Sequence, residues 1–135
     1  EPFCLILGKD NQIYYISKTG KQLGKANFHE GLDFPVLIGE GIWQTKLVEG
    51  ALKILDLSLQ SNVLNWKEIS EVNVDSIYGI TVFTTDGREI DFGERDLQAK
   101  WYKVERIITH TRRFNLTEKY INISSGKLGV VNFSL

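Results

Sequence analysis

Five carboxylates crowd one short stretch of the chain: Asp86, Glu89, Asp91, Glu94 and Asp96. Paired carboxylates are the commonest machinery for general acid–base chemistry, but they must converge on one pocket to act. Their settings argue against convergence. Asp86 belongs to a Thr85-Asp86-Gly87 turn, Glu89 and Asp91 share the polar parity of a strand, and Glu94 and Asp96 stand where a helix begins, where negative charge suits the dipole. Structural duties account for all five. His29 and His110 have no Cys or His at ligand spacing, so surface or packing roles are expected for both. Cys4, the single cysteine, lies among Phe3, Leu5, Ile6 and Leu7, which predicts a buried, inert thiol. The chain has no phosphate-cradling glycine loop, no G-x-S-x-G elbow and no H-E-x-x-H pair. No catalytic residue, metal or cofactor is expected.

The bulk properties narrow the class further. A chain of 135 residues, 42% hydrophobic and 24% charged, is one ordinary domain, able to bury a core without a disulfide or metal staple. The net charge of −1 and scattered lysines carry no nucleic-acid footprint. No apolar run approaches the ~18 residues of a membrane span. The opening Glu1-Pro2 holds no signal peptide and is expected to be the start of a piece excised from a longer chain.

The periodicities supply the frame. Phe3–Leu7 and Ile13–Ile16 read as strands around a Gly8-Lys9-Asp10-Asn11 turn. Residues 21–33 read as a loop with a short extended piece, and Phe34–Gly39 as a strand with Pro35 at its entrance. From Ile42 to Leu59, apolar residues at Leu47, Val48, Ala51, Leu52, Leu55 and Leu59 recur at helical steps, with Gly50 costing about 1 kcal/mol against Ala. Ile69–Val74, Ile80–Thr84 and Arg88–Phe92 are strands, the last two joined through Asp86-Gly87. Leu97, Trp101, Val104 and Ile108 form the stripe of a second helix that ends near Arg112 and Arg113. The predicted class is α+β: a mixed, mostly antiparallel sheet with two helices on one face, in the order βββ-α-βββ-α-ββ, over residues 1–135 as a single domain.

The chain closes with Lys119–Leu135, which reads as a hairpin turning at Ser125-Gly126. A two-residue turn sets Ile123 against Leu128 and Ile121 against Val130 on the core side. It sets Tyr120 against Val131 on the outer side, with Phe133 further along. Past Lys127 the final strand has no charge or proline to blunt it as a sheet edge. Such an edge is either covered by another segment or open to a strand from a partner.

Several segments resemble the extracytoplasmic β domain of the FtsQ/DivIB family of bacterial cell-division proteins. The stretch from Glu1-Pro2 to Ile13-Tyr14-Tyr15-Ile16-Ser17-Lys18-Thr19-Gly20 resembles the start of that domain, with Ser17 where an acidic residue is frequent. Phe34-Pro35-Val36-Leu37-Ile38-Gly39 resembles its L-P-V-L-x-G signature, Phe34 replacing Leu. Ile80–Gly93 and Glu94–Val104 resemble its strand–turn–strand and following helix, with Lys100 at a frequent lysine position. Tyr120-Ile121-Asn122-Ile123 and Gly126–Phe133 resemble its closing hairpin, Asn122 replacing Asp.

The resemblance implies a non-catalytic scaffold of the divisome. Its parent would be anchored by one transmembrane helix, with this domain on the extracytoplasmic side after a POTRA domain. It also implies FtsB/DivIC-like and FtsL-like partners, recruited by strand addition, and neither nucleic acid nor a small-molecule substrate. The partner-binding residues it implies are Tyr120, Lys127, Leu128, Gly129, Val130, Val131, Asn132 and Phe133. The alternative reading is a small α/β enzyme or ligand-binding domain whose site is assembled from non-contiguous residues, marked by a deep pocket with converging polar side chains.

Overall fold

Cys4–Leu7 (β1) and Ile13–Ile16 (β2) form an antiparallel hairpin, and Gln22–Lys25 (β3) pairs antiparallel with β2 on its outer side. The computed structural model describes residues 1–27, 33–125 and 130–133. Val36–Ile38 (β4) enters just after Pro35 and pairs parallel with both β1 and Ile69–Asp75 (β5). Gly79–Thr84 (β6) and Glu89–Gly93 (β7) continue the sheet antiparallel. Glu118–Asn122 (β8) pairs parallel with β7, and Val130–Phe133 (β9) pairs antiparallel with β8. Among the described residues the result is one nine-stranded sheet, ordered β3-β2-β1-β4-β5-β6-β7-β8-β9. The α+β class and the two-helix, mixed-sheet architecture are as expected. The extended piece anticipated within 21–33 is a full strand, Gln22–Lys25, so four strands precede the first helix among the described residues.

Both helices cover one face of the sheet. Thr45–Leu59 (α1) follows a 3₁₀ turn at Glu40–Trp43 and buries Leu47, Ala51, Leu52, Ile54 and Leu55. Leu59, assigned to that stripe by spacing, lies at the fraying end and is exposed, while Ser58 is buried with its Oγ donating to Leu55 O at 2.6 Å. Gly50 is where α1 presses on β6 and on the second helix: a Cβ there would lie 2.8 Å from Ile80 Cδ1 and 2.9 Å from Leu97 Cδ1. Close approach explains a residue that helix propensity disfavours.

Leu97–Arg113 (α2) presents the expected stripe, with Trp101, Val104 and Ile108 buried and the Trp101 ring stacked on Phe92 at 6.0 Å. Glu94 and Asp96, expected in its first turn, stand outside it. Gly93 and Asp96 both take positive φ (72° and 53°) to turn the chain out of β7, so helical geometry starts only at Leu97. Lys100 is buried and donates from Nζ to Phe92 O at 2.9 Å, stitching α2 to the end of β7. The last turn carries His110, Arg112 and Arg113, matching the negative end of the dipole.

The core lies between the helices and the inward parity of every central strand: Cys4, Ile16, Leu37, Val72, Val74, Val82, Ile90 and Ile121 are all buried. Each such side chain contributes about 1.5–3 kcal/mol on leaving water. Gly39, the glycine of the Phe34–Gly39 segment, has φ 107°, and a Cβ there would lie 2.3 Å from Asn73 Oδ1 and 2.4 Å from Val74 O. Only glycine lets the chain leave β4 in this direction, tight against β5.

Candidate partner-binding edge

The sheet has two edges, and they differ in kind. At one, all four residues of β3 are exposed; the strand carries Gly24 and Lys25, and its pairing with β2 shifts register at Tyr15/Ile16. Charge and irregularity on the edge strand itself are usual ways an edge is blunted. At the other, β9 pairs only with β8 among the described residues, and Val130-Val131-Asn132-Phe133 contains neither charge nor proline. Unpaired N–H and C=O groups along such a strand are a template for another chain.

The register of the closing hairpin differs from the expected one. Tyr120 lies opposite Asn132, Ile121 opposite Val131 and Asn122 opposite Val130. Each pairing is displaced by one residue from a hairpin with a two-residue turn, so the connection between β8 and β9 is longer. A one-residue displacement exchanges faces along the strand. Val131, placed on the outer face by spacing, is half-buried and packs against the helix-side core. Phe133 stands opposite Glu118, whose carboxylate lies against α2, so it too is turned to the helix side and is 41% exposed. Of the outer surface expected from Tyr120, Val131 and Phe133, the open face keeps Tyr120 and gains Asn132. Lys127, Leu128 and Gly129 lie outside the described residues.

The open face beside this edge is polar. The pairings set Glu71, Phe83, Glu89, Tyr120 and Asn132 in one transverse row, and Asn73, Thr81, Asp91 and Asn122 in the next. Asp91 is half-buried there; burial pushes its carboxyl above the ordinary range, only partly offset by the Gly93 N–H and Thr81. Glu89 and Asp91 thus occupy the polar parity assigned to them, and Asp86 its turn, so the carboxylates that opened the chemical question are dispersed over a face, a turn and a loop.

One cluster escaped sequence reasoning. Arg88 shares the inward parity of Ile90 and Phe92 and is only 6% exposed. Its Nη1 donates to Glu118 Oε1 at 2.7 Å, its Nε to Asp86 Oδ1 at 2.9 Å and its Nη2 to Glu68 Oε2 at 3.3 Å. Glu118, 3% exposed, accepts from Thr111 Oγ1 at 2.8 Å through its other oxygen. Burial alone would weaken the Arg88 proton, but the bonds to Asp86 and Glu118 more than compensate and raise its pKa. At Asp86, burial works upward, yet Thr84 and Arg88 hold its carboxyl below the ordinary range. A charge at an inward strand position was legible at Arg88; nothing in the spacing pointed to Glu118.

A cavity of about 580 Å³ opens on the far half of the sheet, lined by Leu5, Ile13, Phe34, Val36, Trp66 and Ile69 and rimmed by polar groups that include the exposed Asp33 and Lys67. Its described lining is mostly apolar, with Asn27, Asp33, Lys67, Ser70 and Thr85 as its polar members, and holds no histidine, cysteine or paired carboxylates. No three His, Cys, Asp or Glu side chains gather to hold a metal among the described residues. No described helix is long and apolar enough to cross a membrane.

Residues 5–124 match the family described as cell division protein FtsQ/DivIB, C-terminal. The chain is similar to the cell division protein FtsQ of Anaeromyxobacter sp. (strain K), with 30% identity over 105 residues, covering 72% of this chain and 36% of that protein. It is also similar to the cell division protein FtsQ of Syntrophotalea carbinolica, with 27% identity over 106 residues, 70% of this chain and 37% of that protein. The chain therefore spans little more than a third of the curated relatives it matches. With the family's match covering residues 5–124, from β1 through β8, the chain belongs to the FtsQ/DivIB family, described as cell division protein FtsQ/DivIB, C-terminal.

Proposed function

We propose that this domain is a non-catalytic recruitment module of the bacterial divisome, in which β9 takes up a strand from an FtsB/DivIC-type partner and, with it, an FtsL-type protein. The parent protein would be membrane-anchored, holding the domain on the extracytoplasmic side. The observation that carries the reading is the contrast between the two edge strands: β3 ends on Lys25 and carries the extra residue of its irregular pairing, whereas β9 is uncharged and its irregularity lies on β8. Main-chain bonds would supply much of the affinity and alternate side chains the specificity. Asn132 and Tyr120 face the partner's side chains on the open face, and Val131 and Phe133 those on the helix face.

A proline scan tests it. In an antiparallel edge strand, alternate residues turn their N–H toward the neighbouring strand and away from it. Proline is placed singly at Val130, Val131 and Asn132, and affinity is read by fluorescence anisotropy with a labelled peptide from the extracytoplasmic region of the organism's FtsB/DivIC-type protein. Outward positions are expected to lose at least about tenfold in affinity with circular dichroism unchanged. Inward positions are expected to lower the melting temperature. Unchanged affinity at all three positions, in folded protein, overturns the assignment to β9.

A further inference from the structure

Alternation along β8 would place Glu118 with Tyr120 and Asn122 on the open face. Its side chain is instead buried on the opposite side, bonded to Arg88 and to Thr111 of α2. A β-bulge makes the reversal. Pairing steps from Tyr120 opposite Asn132 to Glu118 opposite Phe133, so Lys119 is an extra residue on β8 and is exposed. A bulge gives up regular ladder bonding and adds local twist, so it persists where another interaction holds it. The buried charge beside this one is the Arg88 guanidinium, whose other partners, the exposed Asp86 and the half-exposed Glu68, lead out to solvent. The bulge lies directly across from the last described residue of the edge strand.

We propose that Arg88, Glu118 and Thr111 form a latch that pins the bulge at Lys119 and so sets where Phe133 and the outer backbone of β9 stand for an incoming strand. The pinning follows from the geometry; its effect on recruitment rests on the function proposed above. Released from the latch, Glu118 returns to the solvated face, the strand regains simple alternation, and Lys119 comes opposite Phe133. The edge then loses the twist that the extra residue imposes. These are positioning residues, acting on a partner through β9 rather than by touching it. Buried polar groups that specify register are well attested in other folds.

The test reads register without any partner. In the isotope-labelled domain, cross-strand backbone NOEs from Phe133 are measured in the wild type and in Glu118→Ala, Glu118→Gln and Thr111→Val. The wild type is expected to connect Phe133 with Glu118, and the Ala variant to connect it with Lys119. Amide exchange at Asn132 and Phe133 should accelerate about tenfold relative to Val82 at the sheet centre. The FtsB/DivIC-type peptide should then bind about tenfold more weakly. Ile54→Val, a core change in α1 remote from the edge, should alter neither NOEs nor affinity despite its own loss of stability. If Glu118→Ala fails to fold, Glu118→Gln and Thr111→Val carry the comparison. A Phe133 contact that stays at residue 118 with unchanged exchange in every folded variant overturns the latch. If the wild type does not bind the peptide, the recruitment reading fails, while the NOE result still decides the latch.

Discussion

Arg88 Nη1 lies 2.7 Å from Glu118 Oε1, joining the residue just after the β6–β7 turn to the first residue of β8, 30 positions along the chain. Both groups are almost fully buried. Removing one partner from such a pair strands the other charge away from water, whereas removing both need not be costly. Glu118→Ala is therefore expected to lose about 3–5 kcal/mol of unfolding free energy, and Arg88→Met a similar amount. The Arg88→Met/Glu118→Leu double variant should recover most of it. Urea unfolding of all three checks the non-additivity; strictly additive losses would mean that the two residues act separately.

Gly79 and Gly93 meet where β6 begins beside the end of β7. Gly79 has φ 83°, and a Cβ on it would lie 2.3 Å from the Gly93 carbonyl carbon and 2.5 Å from its oxygen. These are backbone atoms, so no rotamer change relieves the clash. Gly79→Ala should cost at least about 3 kcal/mol, seen as a lower urea midpoint with an unchanged slope. Gly87→Ala, at φ 84° but in open space, should cost clearly less.

Burial pushes the Cys4 thiol up to about 12, so the native protein holds it protonated and unreactive. In the unfolded chain the thiol ionises from about pH 9, so stability is unaffected by this group below that value and declines as pH rises from there toward 12. Ellman's reagent should leave the native protein unlabelled at pH 8 and label one thiol in urea. Rapid labelling without denaturant would contradict the burial.

Three aspartates set opposite slopes in acid. Asp75 accepts from the Tyr78 and Ile77 N–H groups, which lower its pKa, and Asp86 is lowered as described. Their contributions are present above 3.8, the unperturbed value, and are lost as pH falls through the lower folded values. Asp91 is raised, so its ionisation costs stability as pH climbs past 3.8 toward the folded value, and the cost persists at neutral pH. Asp91→Asn should raise the urea midpoint at pH 7 slightly, and Asp75→Asn should flatten the acid limb between pH 2 and 4. An unchanged acid limb in Asp75→Asn would remove the Tyr78–Ile77 turn from the acid response.

Local chemistry made much of this fold legible. The steps Leu97–Trp101–Val104–Ile108 are a property of the helix repeat, and α2 buries the last three of them. Asp86-Gly87 supports a tight hairpin because Gly87 readily takes φ 84°, and β6 and β7 flank it as read. Cys4 is buried because its neighbours are apolar. What eluded the reading turned on partners distant along the chain. Gln22–Lys25 has no hydrophobic pattern and is a strand only because β2 offers it a ladder. The faces of Val131 and Phe133 depend on the length of a connection and on a bulge, neither of which leaves a periodic trace.

The sequence by itself determined most of the elements, their α+β class, the family, and an uncharged closing strand. These follow from side-chain periods, turn residues and motif order, which are written locally. Only the tertiary structure decided that β9 ends the sheet opposite a blunted β3, that Tyr120 shares its face with Asn132, and that Glu118 points under α2 to Arg88. Strand neighbours and register are chosen by the free energy of the assembled core and by satisfying buried charge, and neither is defined until distant segments meet.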